Sequence, residues 1–156
     1  MTDSRKQDFM LRITGANRTG LVVILYDMFL EYMKDLKEAV PGSTNFKNVI
    51  DYSRNVLLEL MDSLNMKTEI GRNTYSLYRF ADRRLIMASI RQNTERVDEA
   101  VSIMQRLRDA YAKSVENDDS PALMTNTEVV YAGMTYGPGE LNNDYSGAGA
   151  NRGYLA

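Results

Sequence analysis

The sequence predicts an all-α fold, an antiparallel up-down four-helix bundle followed by an irregular C-terminal tail rich in glycine and tyrosine. Three observations carry that expectation. Apolar residues recur at three- and four-residue steps through four long segments, the spacing that lines one face of a helix. From Ser43 to Asn117 the only glycine is Gly71 and there is no proline, so little interrupts those segments. After Pro121 the composition changes, and six of the ten glycines and four of the ten tyrosines fall in that last stretch.

The first predicted helix runs from about Gly20 to Val40. Asn17 or Thr19 is its candidate cap and Pro41-Gly42 stops it. Leu21, Leu25, Phe29, Tyr32, Leu36 and Val40 form its stripe. The segment Leu21 to Leu30 is apolar at every position except Asp27, more than one buried face requires. Such an excess fits either a deeply buried helix or one that keeps a face for a partner. A second helix begins at Ser43 or Thr44 and ends near Leu64, with Phe46, Val49, Ile50, Val56, Leu57, Leu60 and Leu64 as its stripe. A third starts after Gly71, near Asn73 or Thr74, and reaches Arg91 on Leu77, Ala81, Leu85 and Ala88. Asn93 or Thr94 should cap the fourth, which runs to about Glu116 along Val97, Val101, Met104, Leu107, Tyr111 and Val115. Helices of this length joined by short connections favour antiparallel neighbours. The expected division is a mobile N-terminal segment 1–19, a bundle 20–117 and a low-complexity tail 118–156.

Composition narrows the function. The 156 residues carry 19 basic and 21 acidic groups, of which only Arg152, Glu128, Glu140 and Asp144 lie beyond Pro121. A balanced body offers no basic field for nucleic acid, so contact with a partner should rest on apolar surface. Without cysteine or histidine there is no thiolate or imidazole for a metal site, and the commonest general base is missing. Glu59, Asp62, Glu69, Asp98 and Glu99 lack metal-ligand spacing. Arg79, Arg83 and Arg84 around Asp82 read as a solvated helix face with helical ion pairs. The expectation is therefore no catalytic residues, no metal and no cofactor. Residues 1–11 do not resemble a secretory signal, and the Leu21–Leu30 run is about half a membrane span, so no membrane partner is expected.

Several short patterns, taken in order, go further. They are Leu25-Tyr26-Asp27 in the first helix, Leu60 to Leu64 with Asn65 closing the second, Arg83-Arg84-Leu85 with Ala88 and Ile90 in the third, and Leu107-Arg108-Asp109-Ala110-Tyr111 in the fourth. Together they resemble the flagellar secretion chaperone family (FliS), cytoplasmic proteins that bind newly made flagellin, and the likeness spans roughly Ile13 to Glu116. The resemblance implies an antiparallel bundle that captures the C-terminal region of flagellin as helices in an apolar groove and keeps it from polymerising before export. It also implies an N-terminal segment able to cover part of that groove. The expected groove residues are Leu21, Leu25, Tyr26 and Phe29 on the first helix, Leu57 and Leu64 on the second, and Tyr75 and Tyr78 on the third. The same eight side chains also fit a bundle core. A structural or regulatory bundle adaptor that self-associates through its tail is the alternative. The tail's apolar residues Val129, Val130, Tyr131, Met134, Tyr136, Leu141, Tyr145, Tyr154 and Leu155 suit such a contact, or docking over the groove.

Overall fold

Five α-helices and no strand make up residues 1–124, the part of the chain that the computed structural model describes. They are α1 (Asp3–Gly15), α2 (Arg18–Glu38), α3 (Thr44–Asp62), α4 (Glu69–Arg91) and α5 (Val97–Val115). Four of them, α2 to α5, occupy the segments in which the periodicity predicts helix. The fifth, α1, lies within residues 1–19, where no helix is predicted, and corrects the expected four helices to five. Its signals are local and modest: Thr2 accepts a hydrogen bond from the Arg5 amide as N-cap, Asp3 suits the positive end of the dipole, and Phe9 and Ile13 share a face. A polar helix of this length is marginal alone, so it is packing against α2 that sustains α1.

Three of the bundle helices start where a side chain can satisfy their first amides. Asn17 accepts from the Gly20 amide, Ser43 from the Phe46 amide and Thr68 from the Gly71 amide. Sequence-based expectation started the third bundle helix after Gly71, treating the glycine as a break. Instead Thr68 caps the helix and Gly71 lies within its first turn. A Cβ at Gly71 would stand 2.0 Å from the Asn65 carbonyl oxygen, so the turn closes that tightly only around a glycine. The fourth bundle helix also begins later than Asn93 or Thr94 suggests, because α5 opens at Val97 with no side-chain cap bond.

Around the bundle, α2 packs on α3 and α5, and α4 packs on the same two helices. The α2–α5 pairing is antiparallel. Asn17 meets Asp118, Asp27 meets Arg108 and Lys37 meets Asp98, so one number falls as the other rises. Phe29, Met33 and Leu36 of α2 meet Phe46, Leu57 and Leu60 of α3, Leu85 of α4 and Met104 of α5 in one apolar core. Across its middle, the Tyr26 and Tyr78 hydroxyls hydrogen-bond at 2.5 Å, and the Tyr111 ring lies 5.6 Å from that of Tyr26. Asp82 departs from the expected solvated face. It is buried, and its carboxylate accepts from Arg54 of α3 at 2.7 Å rather than from the arginines of its own helix. The apolar tail residues from Val129 to Leu155, and the contacts expected of them, lie outside the described residues.

Candidate partner-binding face

The apolar excess of Leu21–Leu30 has a structural explanation: α2 serves two hydrophobic clusters. Tyr26 and Phe29 point into the main core, with Val22, Leu25 and Leu30 packed at its margin. Ile24 instead joins Phe9 of α1 and Ala16 in a second cluster, edged by Ile13, Leu21 and Met28. One face of α2 is thus covered by the bundle and another by α1.

The eight expected groove residues divide accordingly. Tyr26, Phe29, Leu57 and Tyr78 are fully buried core side chains, so a partner cannot touch them in this conformation. Their apolar bulk at helical spacing suits core and groove alike, and packing across α2, α3 and α4 claims all four. Leu21, Leu25, Leu64 and Tyr75 keep partial exposure. Leu21 sits beside α1, whereas Leu25 and Leu64 rest on the main core. Phe9, Ile24 and Met28 complete the α1-covered face and were not among the expected residues. The i, i+4 pair Phe9 and Ile13, with Ile24 and Met28 four apart on α2, was the available signal.

Charge fastens α1 along one line of α2. Asp27 and Glu31 are four residues apart, and they pair with Arg12 and Arg5 respectively, while the Met1 ammonium reaches Asp35 a further turn along. Asp27 also accepts from Arg108 of α5 at 2.8 Å, which ties α1, α2 and α5 together at one carboxylate. Two of the short sequence patterns, Leu25-Tyr26-Asp27 and Leu107 to Tyr111, therefore meet in space, since Tyr26 also meets Tyr111. Burial pushes the Asp27 carboxyl up, but hydrogen bonds from Arg108 and Arg12 outweigh that and hold it below its ordinary value.

A carboxyl with a lowered folded value stabilises the fold above the unfolded value, about 3.9, and that contribution is lost as pH falls through the folded value. Melting temperature should therefore be insensitive to Asp27 above about pH 5 and fall with acid below about pH 4. Asp27→Asn should melt lower at neutral pH and show a shallower acid decline. Thermal melts followed by circular dichroism from pH 2 to 7 check this, and parallel curves for the two proteins would contradict it.

Where α1 meets α2, the chain after α5 returns. Asn17 uses its Oδ1 to cap α2 and donates its Nδ2 to the carbonyls of Asp118 and Ser120 at 3.1 and 3.2 Å. The Thr19 hydroxyl donates to the Asp118 carboxylate at 2.6 Å, and the Leu123 amide donates to the Ala16 carbonyl at 2.9 Å. Two clefts lie along α1. One of about 430 Å³ is charged and lies between Arg5, Arg12, Glu31 and Arg108. The other, about 570 Å³, is mainly apolar and lies between α1, α2 and α5. No cluster of potential metal ligands occurs among the described residues.

The family model described as "Flagellar protein FliS" matches residues 1–118, from α1 to the first residue bound by Asn17. The chain is also similar to the flagellar secretion chaperone FliS of Escherichia coli (strain K12). The two are 26% identical over 110 residues, covering 66% of this chain and 79% of that protein.

Proposed function

This chain belongs to the FliS family of flagellar proteins, and from that membership we propose that it is an export chaperone for flagellin. It holds the C-terminal region of flagellin on the α2 face that α1 otherwise covers, and so keeps flagellin from polymerising before secretion. A chaperone role in flagellar export is what the family carries; the client segment and the face are our reading. The observation behind it is the double duty of α2. Its second apolar face, Leu21, Ile24 and Met28, is covered by a short helix with one deeply buried side chain, Phe9. An amphipathic helix from a partner can bury the same face over more area.

In this reading Leu21 touches the client on that face, Leu25, Leu64 and Tyr75 extend the contact at the same end of the bundle, and Tyr26, Phe29, Leu57 and Tyr78 support the groove from beneath. The protein works by binding alone, in the cytoplasm where unpolymerised flagellin is held. No helix among the described residues is long and apolar enough to cross a membrane.

A peptide spanning the C-terminal helices of the same organism's flagellin should bind one-to-one and gain helicity. The circular dichroism of the mixture should then exceed the sum of the parts. Leu21→Asp, which puts a charge on the shared face at a half-buried position, should weaken binding about tenfold or more, equivalent to roughly 1.4 kcal/mol. No added helicity at saturating peptide would overturn the proposal.

A further inference from the structure

The apolar cleft between α1, α2 and α5 is lined by Leu11, Ala16, Gly20, Val23, Ala112 and Val115, with Gly15 at its rim. Small residues leave the hole: a Cβ added at Gly15 would meet nothing within 4 Å. The chain itself is led to this opening. The Leu123 amide is bonded to the carbonyl of Ala16, a residue of the cleft wall, and Asn17 and Thr19 hold Asp118 and Ser120 just before it. Leu123 and Met124 do not fill the cleft and remain well exposed.

Beyond Met124 the chain continues as Thr125-Asn126-Thr127-Glu128 and then Val129-Val130-Tyr131-Ala132-Gly133-Met134-Thr135-Tyr136. We propose that this Val129–Tyr136 segment is an intramolecular ligand of the cleft, seating its aromatic and thioether side chains between α1, α2 and α5. From Met124 to Val129 an extended chain spans up to about 17 Å, enough to enter a cleft that begins at Ala16. A tether this short gives an effective concentration on the order of millimolar, so even a contact with a dissociation constant of about 1 mM is half occupied. Tyrosine suits the task because it buries a large apolar ring with few rotamers to fix, and its hydroxyl can stay at the wet rim. The match to the FliS family ends at residue 118, so this ligand belongs to the part of the chain outside the shared fold. The proposal does not rest on flagellin binding and is tested without it.

The chain has no cysteine, so single introduced thiols report cleft access cleanly. Leu11→Cys and Ala112→Cys would each be made in the full chain and in a chain ending at Met124, with Leu58→Cys, on α3, as the reference. Circular dichroism checks that each variant is folded. Labelling by a thiol-reactive dye should be at least about twofold slower in the full chain at both cleft positions and equal at position 58. Tyr131→Ala with Met134→Ala in the full chain should restore the fast rate. Equal rates with and without the tail at positions 11 and 112 would overturn the proposal. Protection that disappears on dilution would also overturn it, since the occupant would then be the tail of a second copy.

Discussion

Replacing Phe9 with alanine should release α1 from the bundle while α2 to α5 stay folded. Phe9 is the one α1 helix residue buried deeply enough to count as core. Truncating a buried phenylalanine to alanine costs about 3–5 kcal/mol, whereas each ion pair of Arg5 or Arg12 is worth roughly 0–1 kcal/mol, being half in water. The apolar anchor therefore decides whether α1 docks, and the charges set its register along Asp27 and Glu31. Arg12, whose guanidinium lies 5.3 Å from the Phe9 ring centroid, loses that support too. Once undocked, a helix of this length frays. Amide exchange across Asp3–Gly15 should accelerate about a hundredfold or more, while exchange in the centres of α3 and α4 stays within a few-fold. Unchanged α1 protection, or loss of the whole bundle together, would contradict the two-cluster description. If flagellin uses the face beneath α1, the same variant should bind its C-terminal peptide more tightly, because the competing helix has gone.

The second large effect belongs to the tyrosine pair in the core. Tyr26 and Tyr78 are fully buried, and each hydroxyl has the other as its hydrogen-bond partner. Tyr26→Phe or Tyr78→Phe alone leaves the remaining hydroxyl without a partner, at a cost of about 1–3 kcal/mol. Removing both hydroxyls removes the need for the bond, so the double variant should be nearly as stable as the parent. Denaturant titration of the four proteins should thus give strongly non-additive values; additive losses would mean that the hydroxyls do not depend on one another. Burial pushes both phenols up from their ordinary value. Groups kept neutral in this way support the fold below the unfolded value, about 10, and lose that support as pH rises above it. The parent should therefore lose stability at alkaline pH more steeply than the double phenylalanine variant.

The bundle was legible because each of its helices carries a long apolar stripe, as in the run from Phe46 to Leu60 after the Ser43 cap. Asn17 and Ser43 fill the capping positions their residue types suggest. Gly71 misled because intrinsic propensity marks it as a breaker, while the close approach of the Asn65 carbonyl requires it inside the helix. α1 was not legible for a different reason. Its single deep anchor gives too weak a periodicity to stand out, and its helicity comes from a tertiary contact. The candidate face was legible only in part. An excess of apolar residues from Leu21 to Leu30 announces a second contact, but the rotation of α2 decides that Ile24 takes it while Tyr26 and Phe29 turn inward. Asp27 shows the same limit. As a lone charge in an apolar run it looks like an interruption, and only the fold brings Arg12 and Arg108 to it from opposite directions along the chain.

Asn17 performs two jobs with one amide group, capping α2 through its oxygen and gripping the returning chain through its nitrogen. The consequence is thermodynamic linkage between the two extremities of the fold. Whatever part of a change at the α1–α2 joint reaches residues 118–123 through Asn17 is matched by an equal effect of those residues on the joint, because a coupling free energy is reciprocal. Binding energy gained at one end is therefore measurable as altered freedom at the other, with no signal needing to cross the core between them.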